Sequence, residues 1–208
     1  MIPSSDTPAP SPSRAGGAGL GRHLVVISGP SGAGKTTVCR RVADRLGLPV
    51  STSATTRPRR AGETDARDYY FVTDAEFRRC IDEGRFVEWA EVFGHLYGTP
   101  VEEVERAREA GDVLLLEIDV QGGMQVKRKF PDALAVLVVA PDAESLRERL
   151  SGRGTESEDE IRRRLQKAAE EVRTARRSGC YDVEVVNDRL EEAVRHVVEC
   201  IETRRNHA

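Results

Sequence analysis

At 208 residues, with 38% hydrophobic and 32% charged side chains, the chain is long enough to bury a substantial apolar centre and has the balance of a soluble globular domain. A formal net charge of −3 supplies no overall basic field, which removes nucleic acid as a default partner, and no apolar run approaches a membrane span. Cys39, Cys80, Cys180 and Cys200 form no C-x-x-C pair and lie near no histidine cluster, which argues against a disulfide framework or a metal site and for reduced thiols in a cytoplasm.

Residues 1–22 are dominated by Pro, Ser, Gly and Ala and lack the apolar content that offsets the entropy of ordering, so a disordered tail is expected. No continuous apolar stretch of a secretory signal stands in it. Leu24 to Ser28 then reads as a short buried strand that runs directly into Gly29-Pro30-Ser31-Gly32-Ala33-Gly34-Lys35-Thr36, followed by Thr37. This is a Walker A pattern in strand-to-helix context. Its glycines let successive backbone N–H groups curl around phosphate oxygens at the positive end of a helix that begins near Lys35. Lys35 reaches the β- and γ-phosphates, and the Thr36 hydroxyl takes one position on Mg²⁺. Only four lysines stand against 28 arginines in the chain, so Lys35 is conspicuous.

A helix through Leu46 ends at Gly47, and Pro49-Val50-Ser51 begins a second short strand. From Ser53 to Val72 the chain is polar, charged and aromatic with little periodicity, as in a functional insertion or a solvated loop. Asp74 is expected to cap a helix through Asp82, with Gly84 as its stop. Phe86 to Val92 reads as a strand, and residues 101–110 as an amphipathic helix ending at Gly111. Val113 to Ile118 is a buried strand that delivers Glu117 and Asp119 at its carboxyl end, where open parallel sheets bind ligands. Further strands are expected at Ala133 to Ala140 and Val183 to Val186, with helices over 121–129, 142–150, 158–177 and 190–203. Alternating strands and helices predict a mainly parallel α/β sheet covered by helices on both faces.

The region from Ser53 to Pro100 decides among P-loop proteins. It carries Ser53-x-Thr55-Thr56-Arg57-x-x-Arg60-x-Gly62-Glu63, Asp68-Tyr69-x-Phe71, Phe86-x-Glu88-Trp89-Ala90 and Tyr97-Gly98-Thr99, with Ile118-Asp119-x-Gln121-Gly122 downstream. In order and spacing these motifs resemble the GMP-binding segment of guanylate kinases, and the resemblance covers residues 23 to about 205. It implies a P-loop NTPase core at 23–52, 101–147 and 171–208, a GMP-binding region at 53–100 and a lid at 148–170. It also implies transfer of the γ-phosphoryl group of ATP to GMP or dGMP with Mg²⁺, the step that recycles GMP and feeds the GTP and dGTP pools.

The chemistry of the residues agrees with that implication. A phosphate monoester dianion asks for guanidinium forks and hydroxyls, which Arg57, Arg60, Tyr69 and Tyr97 supply. Guanine offers N1–H and an N2 amine, so its reader needs a carboxylate: Glu88 accepts, Ser53 and Thr99 complete the edge, and Asp119 adds a second acceptor. Arg149, Arg153 and Arg164 resemble the arginines that the family's lid brings over the triphosphate. Asn187 sits where the family's Val-Asn-Asp turn lines the adenine pocket, or else caps a helix.

Two departures stand out. The usual Arg-x-Pro-Arg reads Arg57-Pro58-Arg59-Arg60, and the usual Asp-Ile-Asp reads Glu117-Ile118-Asp119. No Asn-Lys-x-Asp guanine motif of GTPases is present. A kinase of another acceptor, such as a ribose bisphosphate, would lack the Tyr69, Glu88 and Tyr97 set, and a peptide-binding scaffold of the same fold typically erodes the P-loop lysine or the lid arginines. His23, His95, His196 and His207 are scattered and receive no chemical role.

Overall fold

The structure is a computed structural model that describes residues 2, 20–151 and 157–206. Arg153 and most of the tail expected at 1–22 lie outside the described residues. A single 3₁₀ turn, Leu20–His23, precedes the first strand. In chain order follow β1 (Leu24–Ser28), α1 (Lys35–Leu46), β2 (Ala54–Thr55), β3 (Tyr70–Phe71), α2 (Asp74–Asp82), β4 (Phe86–Val92), β5 (His95–Pro100) and α3 (Val101–Ala110). The chain continues through β6 (Leu114–Ile118), α4 (Val120–Lys129), β7 (Leu134–Val139), α5 (Ala143–Ser151), α6 (Glu158–Ser178), β8 (Val183–Val186) and α7 (Leu190–Asn206).

The core sheet is entirely parallel, in the order β6-β1-β7-β8. Every residue of β1 is buried because both faces of the sheet are covered. Val25 and Ile27 pack with Val38 and Val42 of α1 and Val194, Val197 and Ile201 of α7. Leu24 and Val26 point the other way, against Val104 and Ala107 of α3 and Val126 of α4. The expected α/β architecture is therefore the observed one.

The expected strand at Pro49-Val50-Ser51 shrinks to one parallel bridge, Val50 to Leu115. Pro49 contributes only its carbonyl to that edge, accepting from Leu115 N–H (2.9 Å), and Ser51 N–H donates back to Leu115 O (2.9 Å), but the N–H of Thr52 turns away to the carboxylate of Glu103 (3.0 Å). The cap of α2 is Thr73 and not Asp74: Thr73 and Glu76 form a reciprocal capping box.

The inserted segment forms a second lobe around a small mixed sheet, β3-β2-β5-β4, in which β4 and β5 make an antiparallel hairpin. Its apolar centre stacks Phe77 of α2 on Phe86 of β4, with ring centroids 4.4 Å apart. β4 lies at the edge of this sheet, where Gln125 of α4 engages both backbone groups of Trp89, accepting from its N–H (3.3 Å) and donating to its carbonyl (2.8 Å).

Chain leaves the core at Thr52 and returns at α3, and one buried side chain ties both crossings. Glu103 accepts hydrogen bonds from Thr52 N–H (3.0 Å), the Tyr70 hydroxyl (2.9 Å) and Arg106 (3.1 Å). Removing the carboxylate leaves a buried hydroxyl and an N–H without their acceptor. Glu103→Ala is expected to cost about 2–3 kcal/mol in urea unfolding; a loss below about 0.5 kcal/mol would show that the strut carries no stability.

Candidate active site

The phosphate loop follows from the sharp passage of β1 into α1. Gly29, Gly32 and Gly34 have φ of 153°, 85° and 89°, the last two in left-handed backbone that a β-carbon disfavours. Lys35 folds its ammonium back on the loop, donating to the carbonyls of Gly29 (2.8 Å) and Pro30 (3.0 Å). Asn187, at the end of β8, supports the loop from behind: its side-chain amide donates to Ala33 O (2.8 Å). A β-carbon at Gly34 would lie 2.3 Å from that amide. The side chain expected to line an adenine pocket or cap a helix is thus engaged with the loop itself. Arg149, near the end of α5, donates to Asn187 O (2.7 Å), so α5 is tethered to the same corner.

Thr36 Oγ1 donates to Glu117 Oε1 (2.5 Å). Two oxygen donors side by side at a phosphate loop suit Mg²⁺, which takes one or two protein oxygens and completes its shell with phosphates and water. Among the described residues no cluster of three acidic, histidine or cysteine side chains could hold a metal by itself.

In the lobe, Arg57 is nearly buried and forked onto Glu63 (2.7 and 3.1 Å), with a further bond to Pro58 O (2.7 Å). Its guanidinium lies 5.4 Å from the Tyr69 ring centroid and 5.8 Å from that of Phe71. The hydrogen bond from Arg57 leads the effects that hold Glu63 below the usual carboxylate range. Tyr69 and Tyr97 meet edge to face at 6.1 Å. Arg60 is exposed, and its backbone N–H donates to Glu63 (2.7 Å). The altered Arg57-Pro58-Arg59-Arg60 order therefore still closes a turn on Glu63. Ser53 is half-buried and gives its carbonyl to Tyr70 N–H (2.9 Å).

Glu88 is the most constrained acid of the lobe. It is buried on β4 beside β5, and Thr99 donates to its Oε1 through both N–H (3.0 Å) and hydroxyl (2.7 Å). The other carboxylate oxygen lies over the start of α4, where a β-carbon on Gly122 would be 2.4 Å away. Gly122 N–H itself donates to the Asp119 carboxylate, which caps α4 (2.7 Å). A β-carbon here would crowd the buried Glu88 carboxylate, while the Asp119 oxygen would stay at ordinary contact distance (3.5 Å). Burial, and then the neighbouring Asp119 charge, push Glu88 up to about 7 despite the Thr99 bonds.

Helix α6 brings charge to the loop. Arg164 Nη2 donates to Ser31 Oγ (2.7 Å), and Lys167 lies one turn further along, 4.0 Å from Glu171. Glu171 is raised by burial, against the opposing charges of Lys167 and Lys35. Lys167, Glu171 and Tyr181 belong to the site's surroundings and were not visible as such in the sequence. The Tyr181 hydroxyl shares a hydrogen bond with Ser28 at the end of β1 (2.9 Å) and donates to Val120 O (3.1 Å). Its partners are far away along the chain, so only the fold reveals it.

A glycine-rich strand-to-helix loop on a parallel core, and a separate lobe that gathers basic, aromatic and acidic side chains, are the features of a P-loop nucleotide kinase. The guanylate kinase family model matches residues 21–204. The guanylate kinase of Rubrobacter xylanophilus is 52% identical over 178 residues, covering 85% of this chain and 92% of that protein. That of Caldanaerobacter subterraneus subsp. tengcongensis is 46% identical, covering 84% of each. The crystal structure of guanylate kinase from Anaplasma phagocytophilum superposes with a TM-score of 0.70 at 31% identity, over 86% of this chain and 84% of that one. The chain belongs to the guanylate kinase family.

The raised Glu88 gives a pH signature. Folded protein keeps this proton between about pH 4.5 and about 7, where the unfolded chain has lost it, so the group's contribution is fully present below pH 4.5 and declines as pH rises through 7. Glu88→Gln keeps an oxygen for Thr99 and never ionises. Relative to wild type its stability is expected to rise across this window by up to about 3 kcal/mol in urea unfolding; parallel profiles would show that Glu88 titrates normally.

Proposed function

We propose that this chain transfers the γ-phosphoryl group of ATP to GMP or dGMP, with Mg²⁺, giving ADP and GDP or dGDP. The observation that carries the acceptor assignment is Glu88, a buried carboxylate aligned by Thr99 and flanked by Asp119. Guanine donates from N1–H and its N2 amine and so satisfies an ionised carboxylate. Adenine has neither donor and leaves it unpaired, and such mismatches reach about 10⁴-fold in discrimination.

The acceptor phosphate binds the guanidinium of Arg57, already oriented by Glu63, together with Arg60, Tyr69 and Tyr97, while Ser53 completes the guanine edge. Residues 29–37 cradle the donor phosphates. Because the acceptor phosphate is itself an anionic nucleophile, no general base is needed, and catalysis rests on alignment and on neutralising charge as the phosphoryl group moves. Lys35 exchanges its loop carbonyls for β- and γ-phosphate oxygens. Arg164, and Arg153 from the segment outside the described residues, supply further positive charge, with Arg149 beside the loop. Thr36, and Glu117 through water, would hold Mg²⁺, which supplies charge neutralisation at the phosphates when bound. Closure of the region around 148–170 keeps water from the γ-phosphate.

All four cysteines are free thiols, and no helix among the described residues is long and apolar enough to cross a membrane; we place the reaction in the cytoplasm.

A coupled ADP-release assay with Mg-ATP and GMP, dGMP, AMP, CMP or UMP tests the reading. Turnover confined to GMP and dGMP is expected, and silence with all five from folded, ATP-binding protein would overturn it. Lys35→Ala is expected to lower turnover by about 10²-fold or more with the fold intact, and near-normal turnover would remove its assigned role. Glu88→Gln is expected to narrow the preference for GMP over AMP; unchanged discrimination would take Glu88 out of the reader.

A further inference from the structure

The β4–β5 hairpin turns through Phe93 and Gly94, at φ of 51° and 77°, between the paired residues Val92 and His95. Two successive positive φ values suit a tight hairpin turn in which asparagine or aspartate precedes glycine. A bulky side chain at the first position is conformationally unfavourable. Phe93 is also 55% exposed, so neither turn geometry nor burial accounts for a benzyl group there.

Its ring does have partners, and they come from the other side of the cleft. Lys167 Nζ lies 4.2 Å from the ring centroid, and the Arg164 guanidinium carbon 5.9 Å from it. Both cations stand on α6 at i and i+3, and Arg164 also bonds Ser31 of the phosphate loop (2.7 Å). The tip of the lobe thus touches the helix that delivers positive charge to the donor phosphates. The chemistry of the contact matters. A carboxylate at position 93 would pair with these cations and cancel their charge, whereas an aromatic face attracts a cation through its quadrupole and leaves the charge in place. The tip also lies at the far end of the hairpin from the Thr52 and α3 crossings, so rotation of the lobe about them moves Phe93 most.

We propose that Phe93 is a positioning residue for phosphoryl transfer: its ring clamps Lys167 and Arg164 of α6 and so couples closure of the acceptor lobe to placement of Arg164 at the phosphate loop. The proposal rests on the role given to Arg164 above. An open lobe withdraws the ring and loosens Arg164; a closed lobe supplies the differential contact that closure requires.

Phe93→Asn separates a clamp from a turn, because asparagine suits the left-handed turn position but has no ring. Its melting temperature is expected to equal or exceed that of wild type while kcat with GMP falls about tenfold and KM for ATP stays within about twofold of wild type. Phe93→Tyr, which keeps the aromatic face, is expected to retain kcat. Unchanged kcat in Phe93→Asn, or an equal loss in Phe93→Tyr, would overturn the proposal. The contact itself is read without substrate by a double-mutant cycle of Phe93→Ala and Lys167→Ala in urea unfolding, where a coupling of about threefold in the unfolding constant is expected. Strict additivity would remove the clamp. A wild-type protein idle with GMP but showing this coupling would instead fault the functional reading.

Discussion

The placement of β1 between β6 and β7 is the constraint on which the cleft depends. Ser28 pairs with Ile118 on one side and with Leu137 on the other, so the strand that launches the phosphate loop ends level with the strand that delivers Glu117 and Asp119. Because side chains alternate along a strand, a slip of one residue would turn Glu117 away from Thr36 and exchange the two sets of core contacts that the strand makes on its two faces. The same register, carried through β7 to β8, places Asn187 under the loop. The apolar runs thus do more than fill the sheet. They fix which polar side chains stand at the loop.

The inserted lobe is organised by carboxylates, each holding something different. Glu103 joins the two chain crossings, Glu63 orients Arg57, Glu88 takes both donors of Thr99, and Asp119 caps the helix over which Glu88 lies. Three of these acids are met by donors and serve as structural acceptors. Glu88 is different, because its burial is only partly offset by Thr99. The guanine edge proposed above would bring the N–H groups that such an acid lacks.

Much of the fold was legible because its signals are local. The apolar run of β1, the strand Phe86–Val92 and the helix Val101–Ala110 before Gly111 fall where the pattern put them. The Thr73 cap was also readable, since Thr73 and Glu76 have capping-box spacing, but Asp74 competed for the same position. β2 and β3 were not readable: two residues have no period, and their pairing is set by distant partners. The site divides in the same way. The phosphate loop and the acceptor residues form contiguous motifs, whereas Tyr181 reaches Ser28 across 153 positions and Asn187 reaches Ala33 across 154. Phe93 was hidden for another reason, since an aromatic beside a glycine in a hairpin looks like ordinary turn flanking until α6 is folded against it.

The amide of Gln125 on Trp89 has a consequence for the solubility of the lobe. A small sheet inserted in a loop has two open borders, each a template for strand addition by another molecule. On one border, β3 is only two residues long. On the other, Gln125 occupies the N–H and carbonyl of Trp89 with a side chain that imitates a neighbouring strand. An incoming strand would have to displace that mimic at the middle of β4. The lobe is thereby guarded against acting as a nucleus for self-association.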